Sequence, residues 1–144
     1  MLTTELCCEA RDAGTFLAKT ALAHLGSPRP LALIAGGETV VHVVCSGKGG
    51  RCQEMALSAA IVLRGVQNAA LLAAGSDGTD GPTDAAGACV DGSTAERIER
   101  AGIDPGLSLA GNNSYPALAA ANALFITGAT GTNVNDLSLV LLRP

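Results

Sequence analysis

"AALLAAGSDGTDGPTDAAGA", residues 69–88, joins a short apolar run to a glycine-rich loop that carries three aspartates. The apolar residues 69–74, bounded by turn-forming residues, predict a short buried strand. Asp77, Asp80 and Asp84 follow, and both aspartate and glycine are common in turns. The loop is therefore either a solvated turn or a site whose carboxylates bind Mg²⁺, orient Arg51 or accept a substrate hydroxyl.

The chain on either side of this stretch alternates in the same way between apolar strands and amphipathic helices. Further strands are predicted at 31–35, 39–45, 88–90, 123–127 and 137–142, and helices at 9–25, 52–64, 93–102 and 115–121. This alternation indicates an α/β fold with helices on both faces of the sheet. The connection between 31–35 and 39–45 is too short for a helical crossover, so these two strands should be antiparallel. We predict one α/β domain, residues 1–144, with a mixed, mostly parallel sheet.

The composition argues against several classes of partner. Apolar residues make up 48% and charged residues 15% of the 144 residues, which suits one folded domain. Aromatic residues are only 2% and the net charge is −4, so nucleic acid is not expected. The acidic N-terminal segment does not resemble a signal peptide, and no apolar run reaches the roughly 18 residues of a membrane span. Five cysteines without metal-ligand spacing indicate reduced thiols and a cytoplasmic location.

Glycine-rich loops adjoin several predicted strands. They are "GGE" (36–38), "SGKGGR" (46–51), "GSDGTDGPTD" (75–84) and "TGATGTN" (127–133). Ligands of open α/β sheets bind beyond the carboxyl ends of the strands. We therefore expect the four loops to converge on one rim of the domain and to form a small-molecule site there.

The loop 46–51 has the composition of an anion site. Gly49 and Gly50 leave the backbone amides accessible, and a helix is predicted to begin directly after Arg51. Lys48 and Arg51 add positive charge, and Arg51 could stabilise a transferring phosphoryl group. The loop matches neither a Walker A sequence nor GxGxxG. The alternative is a flexible basic turn.

The two remaining loops allow a binding function and a structural one about equally. Gly131 with Thr130, Thr132 and Asn133 is either a nest for phosphate or hydroxyl groups or an ordinary polar loop. Glu38 comes directly after two glycines, Gly36 and Gly37, at the end of a strand. It could meet Lys48, Arg51 or a metal, or could be a plain hairpin residue.

Five segments together resemble one known family. They are "GGETVV" (36–41), "SGKGGRCQEMAL" (46–57), "AAGSDGTDGPTDAAGA" (73–88), "NNSY" (112–115) and "TGATGTNVNDL" (127–137). In order and spacing they are similar to the MOFRL domain, the C-terminal domain of the glycerate 2-kinase family, whose members are often labelled hydroxypyruvate reductase. The chain departs from the usual family motifs at Val40, Cys52, Ser76, Asn113 and Ala129.

The resemblance implies transfer of phosphate from ATP, with Mg²⁺, to the 2-hydroxyl of D-glycerate. It implies a site in a cleft against a larger N-terminal kinase domain, supplied in cis or in trans, which this chain lacks. Arg51 matches a catalytic or phosphate-contacting arginine of the family. Glu38, Asp77, Asp80, Asp84, Thr130 and Asn133 match other motif positions. Alone, the chain should turn over poorly or not at all.

Two alternatives remain from the sequence. One is a non-catalytic module that binds phosphate or a sugar acid. The other is an NAD(P)-dependent hydroxypyruvate reductase, which is disfavoured because the dinucleotide fingerprint is missing. A homodimer is left open as a further partner.

Overall fold

The computed structural model describes residues 1–144 as six strands and five helices. The strands are β1 (Thr3–Leu6), β2 (Leu31–Gly37), β3 (Ala69–Gly75), β4 (Gly87–Asp91), β5 (Leu124–Phe125) and β6 (Asp136–Leu142). The helices are α1 (Ala10–Ala23), α2 (Arg51–Val62), α3 (Thr94–Arg100), α4 (Pro105–Ala110) and α5 (Ser114–Ala120). All four predicted helices are present, and α4 is an additional short helix.

The strands form one mixed sheet in the order β1-β2-β6-β3-β4-β5. The last strand of the chain, β6, lies between β2 and β3 and is antiparallel to both. The mixed sheet is confirmed, but the prediction that most pairs are parallel is wrong. Only β1 and β2 pair in parallel, because β6 separates β2 from β3 and a loop without a helix joins β3 to β4. Since β2 and β3 run in the same direction, their carboxyl ends share one edge of the sheet.

The predicted strand at 39–45 is also wrong, although its β-branched residues favour a strand. Both edges of β2 are already occupied, by β1 and β6, so this segment has no place in the sheet. It makes one isolated bridge, between Val40 and Glu9, and then runs along the surface. Val43 and Val44 are 74% and 70% exposed. In its place, β1 is a strand that the sequence did not reveal.

All five helices lie on one face of the sheet, which corrects the prediction of helices on both faces. Helix α2 packs on β3 and β4, α1 packs on α2 and β6, and α3, α4 and α5 pack around α2. The side chains of β6 alternate accordingly: Val140 and Leu142 are buried, whereas Leu137 and Leu141 are 45% and 48% exposed. The architecture is therefore two layers, with the core between the helices and one side of the sheet.

Helices α1 and α2 meet through small residues. A Cβ atom placed on Gly14 would lie only 2.1 Å from the backbone oxygen of Met55. The neighbouring buried residues are alanines, namely Ala10, Ala13, Ala56, Ala59 and Ala60. Small side chains let the two helices approach closely, which explains how the protein builds a core with so few aromatic residues. No helix is long and apolar enough to cross a membrane.

Candidate functional site

The four glycine-rich loops do converge, as the sequence predicted. They meet at the edge of the sheet where β2 and β3 end and β6 begins. Arg51 of the second loop reaches Glu38 of the first, Thr130 of the fourth bonds to Ser76 of the third, and Gly81 packs on Gly49. A cleft of about 750 Å³ opens beside them, lined by residues of the first three loops and of the segment 39–43.

Arg51, the first residue of α2, is held by two carboxylates. Its Nε and Nη2 atoms donate to the two carboxylate oxygens of Asp136, at 2.6 and 2.9 Å. Its Nη1 atom lies 3.2 Å from Oε1 of Glu38. The hydrogen bonds that Arg51 donates to Asp136 raise the pKa of Arg51 further above its ordinary value, so the guanidinium stays charged. The Asp136 side chain is 4% exposed and that of Glu38 is 58% exposed, so the two carboxylates differ greatly in their access to solvent.

Asp80 caps the beginning of α2. Its carboxylate oxygens accept hydrogen bonds from the backbone amides of Cys52 and Gln53, at 3.1 and 2.9 Å. The Gln53 side chain returns a bond to the Asp80 carbonyl oxygen at 3.1 Å. Burial raises the pKa of Asp80, while the two amide bonds act in the opposite direction. Asp80 therefore joins the third loop to α2 from inside the protein.

This cap changes the anion site expected at residues 46–51. The prediction that the start of α2 is free for an anion is wrong for the amides of Cys52 and Gln53, which bind Asp80. The amides of Gly49 and Gly50 make no hydrogen bond within the chain. A Cβ atom on Gly50 would lie 2.3 Å from the Asp80 carboxyl carbon, so glycine is needed there for the approach of Asp80. Two amides and Arg51 remain as donors.

Asp77 and Asp84 lie nearer to solvent than Asp80 and bond to different partners. Asp77 Oδ1 accepts from the backbone amide of Thr79 at 3.0 Å, which lowers the pKa of Asp77. Asp84 accepts from the hydroxyl of Tyr115 at 2.7 Å, which lowers the pKa of Asp84. The three aspartates thus point to three separate places. No group of three or more His, Cys, Asp or Glu side chains is arranged to hold a metal ion.

Lys48 belongs to the same corner as Asp84. Its Nζ atom lies 4.1 Å from the centre of the Tyr115 ring, a distance suited to a cation–π contact. Its backbone amide donates to Asn113 Oδ1 at 3.0 Å. The lysine therefore sits over α5 and not beside Glu38, which pairs with Arg51 instead.

The loop 128–135 is exposed but is fixed to the third loop by hydrogen bonds. The Thr130 amide donates to the Asp77 carbonyl oxygen at 3.1 Å, and the Thr130 hydroxyl donates to the Ser76 carbonyl oxygen at 2.6 Å. Asn133 Oδ1 accepts from the amide of Asn135 at 3.0 Å. Gly131 adopts φ 79°, a conformation that favours glycine. All three predicted polar residues are exposed, and the side chains of Thr130 and Asn133 make internal bonds whereas that of Thr132 makes none.

The two glycines of the first loop serve the sheet. Gly36 and Gly37 are the last residues of β2. A Cβ atom on Gly37, whose φ is 149°, would lie 2.4 Å from the backbone of Leu6. Gly37 thus lets β1 pair closely with β2 and leaves Glu38 at the rim.

Three residues of the site were not predicted. Asp136 pairs with Arg51, as described above. Glu54, a buried residue of α2, accepts from Arg11 Nη2 at 2.8 Å and from Asn112 Nδ2 at 3.1 Å. Asn112 Oδ1 also accepts from the amide of Val44 at 2.8 Å, so it fixes the segment that borders the cleft. Asn112 has φ 51°, and an asparagine directly after a glycine-terminated helix was a signal for such a turn.

The fold and the site define the chain as an α/β domain with a fixed arginine in a glycine-rich cleft. The model of the MOFRL family matches residues 31–136, and the chain belongs to this family. It is 56% identical to D-glycerate 2-kinase of Thermotoga maritima and 44% identical to glycerate 2-kinase of Pyrococcus horikoshii. In both cases 99% of this chain is aligned, against 35% and 33% of the relative.

Solved structures and further relatives agree with this family assignment. The crystal structure of glycerate kinase from Thermotoga maritima superposes with a TM-score of 0.94 over 98% of this chain and 35% of that protein. The PH0495 protein from Pyrococcus horikoshii gives a TM-score of 0.90 at 44% identity. A protein of Agrobacterium vitis that is 39% identical over 93% of this chain carries the name hydroxypyruvate reductase. The chain spans about a third of the length of these relatives.

Proposed function

We propose that this chain is the C-terminal domain of an ATP-dependent glycerate 2-kinase, which transfers phosphate from ATP to D-glycerate, and that it forms one wall of the active-site cleft. The observation that carries the proposal is Arg51. Its guanidinium is fixed on one side by a buried carboxylate and reaches the cleft on the other. Phosphoryl transfer depends mostly on positioning and on stabilisation of negative charge, which a fixed arginine provides.

The other site residues are proposed from their places in the four glycine-rich loops and from the motifs that the chain shares with the family. We propose Arg51, Asp77 and Asp80 as the catalytic set, in which Arg51 stabilises the transferring group and Asp80 fixes the start of α2 from which Arg51 projects. The residues proposed to line the phosphate and substrate site are Gly36, Gly37, Glu38, Lys48, Gly49, Gly50, Asp84, Thr130, Gly131, Thr132 and Asn133, among which Glu38 takes part as the carboxylate partner of Arg51. Among these, the amides of Gly49 and Gly50, which make no hydrogen bond within the chain and border the same cleft as Arg51, are the proposed backbone partners for an anion that reaches Arg51.

The proposal requires a second domain. This chain has neither a nucleotide clamp nor a metal-ligand cluster, both of which kinases use. ATP and Mg²⁺ are proposed as cofactors of the complete enzyme, with an N-terminal kinase domain supplied in cis or in trans. The residues of this chain do not form a Mg²⁺ site by themselves, because no three of its His, Cys, Asp or Glu side chains are arranged around one point. A cytoplasmic location is proposed because all five cysteines are free thiols.

A domain exchange tests the proposal. The segment of Thermotoga maritima D-glycerate 2-kinase that matches this chain is replaced by residues 1–144, which the 56% identity and the TM-score of 0.94 make feasible. The hybrid should phosphorylate D-glycerate in a coupled ADP assay, and Arg51→Ala should lower its kcat by about 10²–10³. Ser138→Ala, a buried change outside the cleft, is the matched control.

The outcomes separate the competing functions. Vigorous turnover by the 144-residue chain alone would contradict the proposal that this chain forms only one wall of the active-site cleft. A folded hybrid without kinase activity, combined with tight phosphate binding by the chain, would favour a non-catalytic binding module. NADH oxidation with hydroxypyruvate, abolished by Arg51→Ala, would favour the reductase that the Agrobacterium vitis name describes.

A further inference from the structure

Arg51 is bound by two carboxylates whose surroundings differ. Asp136 holds the Nε and Nη2 edge of the guanidinium through two parallel hydrogen bonds, and its side chain is 4% exposed. Glu38 approaches Nη1 at 3.2 Å through a single contact, and its side chain is 58% exposed. In the first pair the carboxylate is buried and makes two hydrogen bonds to the guanidinium. The second is open to exchange with any other anion in the cleft.

We infer that Asp136 is a positioning residue that fixes Arg51 for an incoming phosphate group, and that Glu38 occupies the position on Arg51 which that phosphate group would take. This inference rests on the proposed function, because it names the ligand as a phosphate group bound by Arg51. The two carboxylates therefore have opposite effects on the same arginine. Asp136 makes Arg51 competent to bind an anion, and Glu38 competes with that anion.

The backbone around Asp136 supports a fixed position. Asp136 is the first residue of β6 and lies in register between Gly37 of β2 and Gly75 of β3. The carboxylate is thus carried by a central strand of the sheet, at the end of that strand where the loops meet. A bidentate pair also restricts the plane of the guanidinium, which a single contact does not do. Asp136 consequently sets both the place and the orientation of Arg51.

An effect of charge alone would change the affinity for anions in a different way. If the carboxylates acted only through their charge, neutralising either one would make the cleft more positive and would strengthen anion binding. Positioning predicts that the two substitutions act in opposite directions. The sign of the Asp136 effect therefore distinguishes the two explanations, and a merely structural role would leave affinity unchanged in folded protein.

The experiment is calorimetric titration of the 144-residue chain with inorganic pyrophosphate in metal-free buffer. Glu38→Gln should raise the affinity about two- to fivefold, as expected for the loss of an exposed competing ion pair. Asp136→Asn should lower it about tenfold or more, because a displaced cation loses its alignment with the ligand. Ser138→Ala, two residues along β6, should bind like the wild type.

A second measurement tests the positioning of Arg51 independently of pyrophosphate binding. In the ¹⁵N NMR spectrum, the Nε–Hε signal of Arg51 should be sharp and slow to exchange in the wild type and in Glu38→Gln, and should broaden or shift in Asp136→Asn. If that happens but the wild type does not bind pyrophosphate, the positioning of Arg51 stands and the phosphate function fails. If Asp136→Asn leaves both the signal and the affinity unchanged, or raises the affinity, the positioning role is overturned.

A second variant covers the case in which Asp136→Asn does not fold. Arg51→Lys keeps the positive charge but cannot form the two parallel bonds to Asp136. It should weaken pyrophosphate binding about tenfold. Wild-type affinity in Arg51→Lys would show that charge alone is sufficient and would overturn the inference.

Discussion

Asp80 and Asp136 are buried at the same edge of the sheet where Asp77 and Asp84 lie nearer to solvent. The buried pair binds other parts of the site, namely the amides that begin α2 and the guanidinium of Arg51. The outer pair bonds to Thr79 and Tyr115 at the surface. Carboxylates that look alike in a glycine-rich sequence thus divide into those that build the site and those that border it.

The largest effect should come from breaking the buried set at Asp80. Asp80→Ala leaves the amides of Cys52 and Gln53 buried without a partner, so the free energy of unfolding should fall by about 2–4 kcal/mol. Urea denaturation of the chain measures this. Asp77→Ala is the matched change in the outer set and should leave the urea midpoint where it is. Equal losses for both variants would remove the distinction between the two sets.

An intermediate effect is expected at Asn112, which connects Glu54 of α2 to the segment bordering the cleft. Asn112→Ala removes its bonds to Val44, His42 and Glu54 and places alanine at a positive φ. The free energy of unfolding should fall by about 1–3 kcal/mol. Hydrogen exchange should show the loss of protection at the Val44 amide. Retained protection there would mean that residues 42–45 are held by other contacts.

The smallest effect is expected in the outer set, at the bond between Tyr115 and Asp84. This bond lowers the pKa of Asp84 and raises the pKa of Tyr115. A carboxylate with a lowered pKa in the folded state contributes stability that is present above its unfolded pKa and is lost as the pH falls through the folded value. Tyr115→Phe should therefore raise the pKa of Asp84, as measured by carbon-detected NMR titration. A pKa that stays low would assign the shift to the backbone of the loop.

The sequence predicted the elements that local pattern determines. Strands β3 and β6 were evident because their apolar runs adjoin glycine-rich loops, and α1 was evident from its helical spacing of alanine and leucine. The segment 39–45 was predicted wrongly because its β-branched residues carry no information on whether an edge of β2 is free. Whether helices cover one or both faces depends in the same way on contacts between distant elements.

The site shows the same limit. Arg51 was predicted because a cation at the end of a glycine-rich loop, next to a predicted helix, is a local signal. Its partner Asp136 is 85 residues away along the chain, and nothing near either residue indicates the pairing. The three aspartates of residues 77–84 were equivalent in sequence. Only packing shows that Asp80 turns inward, because glycine at position 50 leaves room for its carboxylate.

The close contact between α1 and α2 limits which substitutions this domain can accept in evolution. At Gly14, where a single added carbon would meet the Met55 backbone, side-chain volume is constrained far more strongly than polarity. Exchanges among the smallest residues should be accepted at other positions between the two helices, while any enlargement at Gly14 would push α2 away from α1. Because α2 begins at Arg51, a displacement of α2 would also move the arginine. Substitutions on α1 can therefore abolish the function of the cleft although they do not contact it.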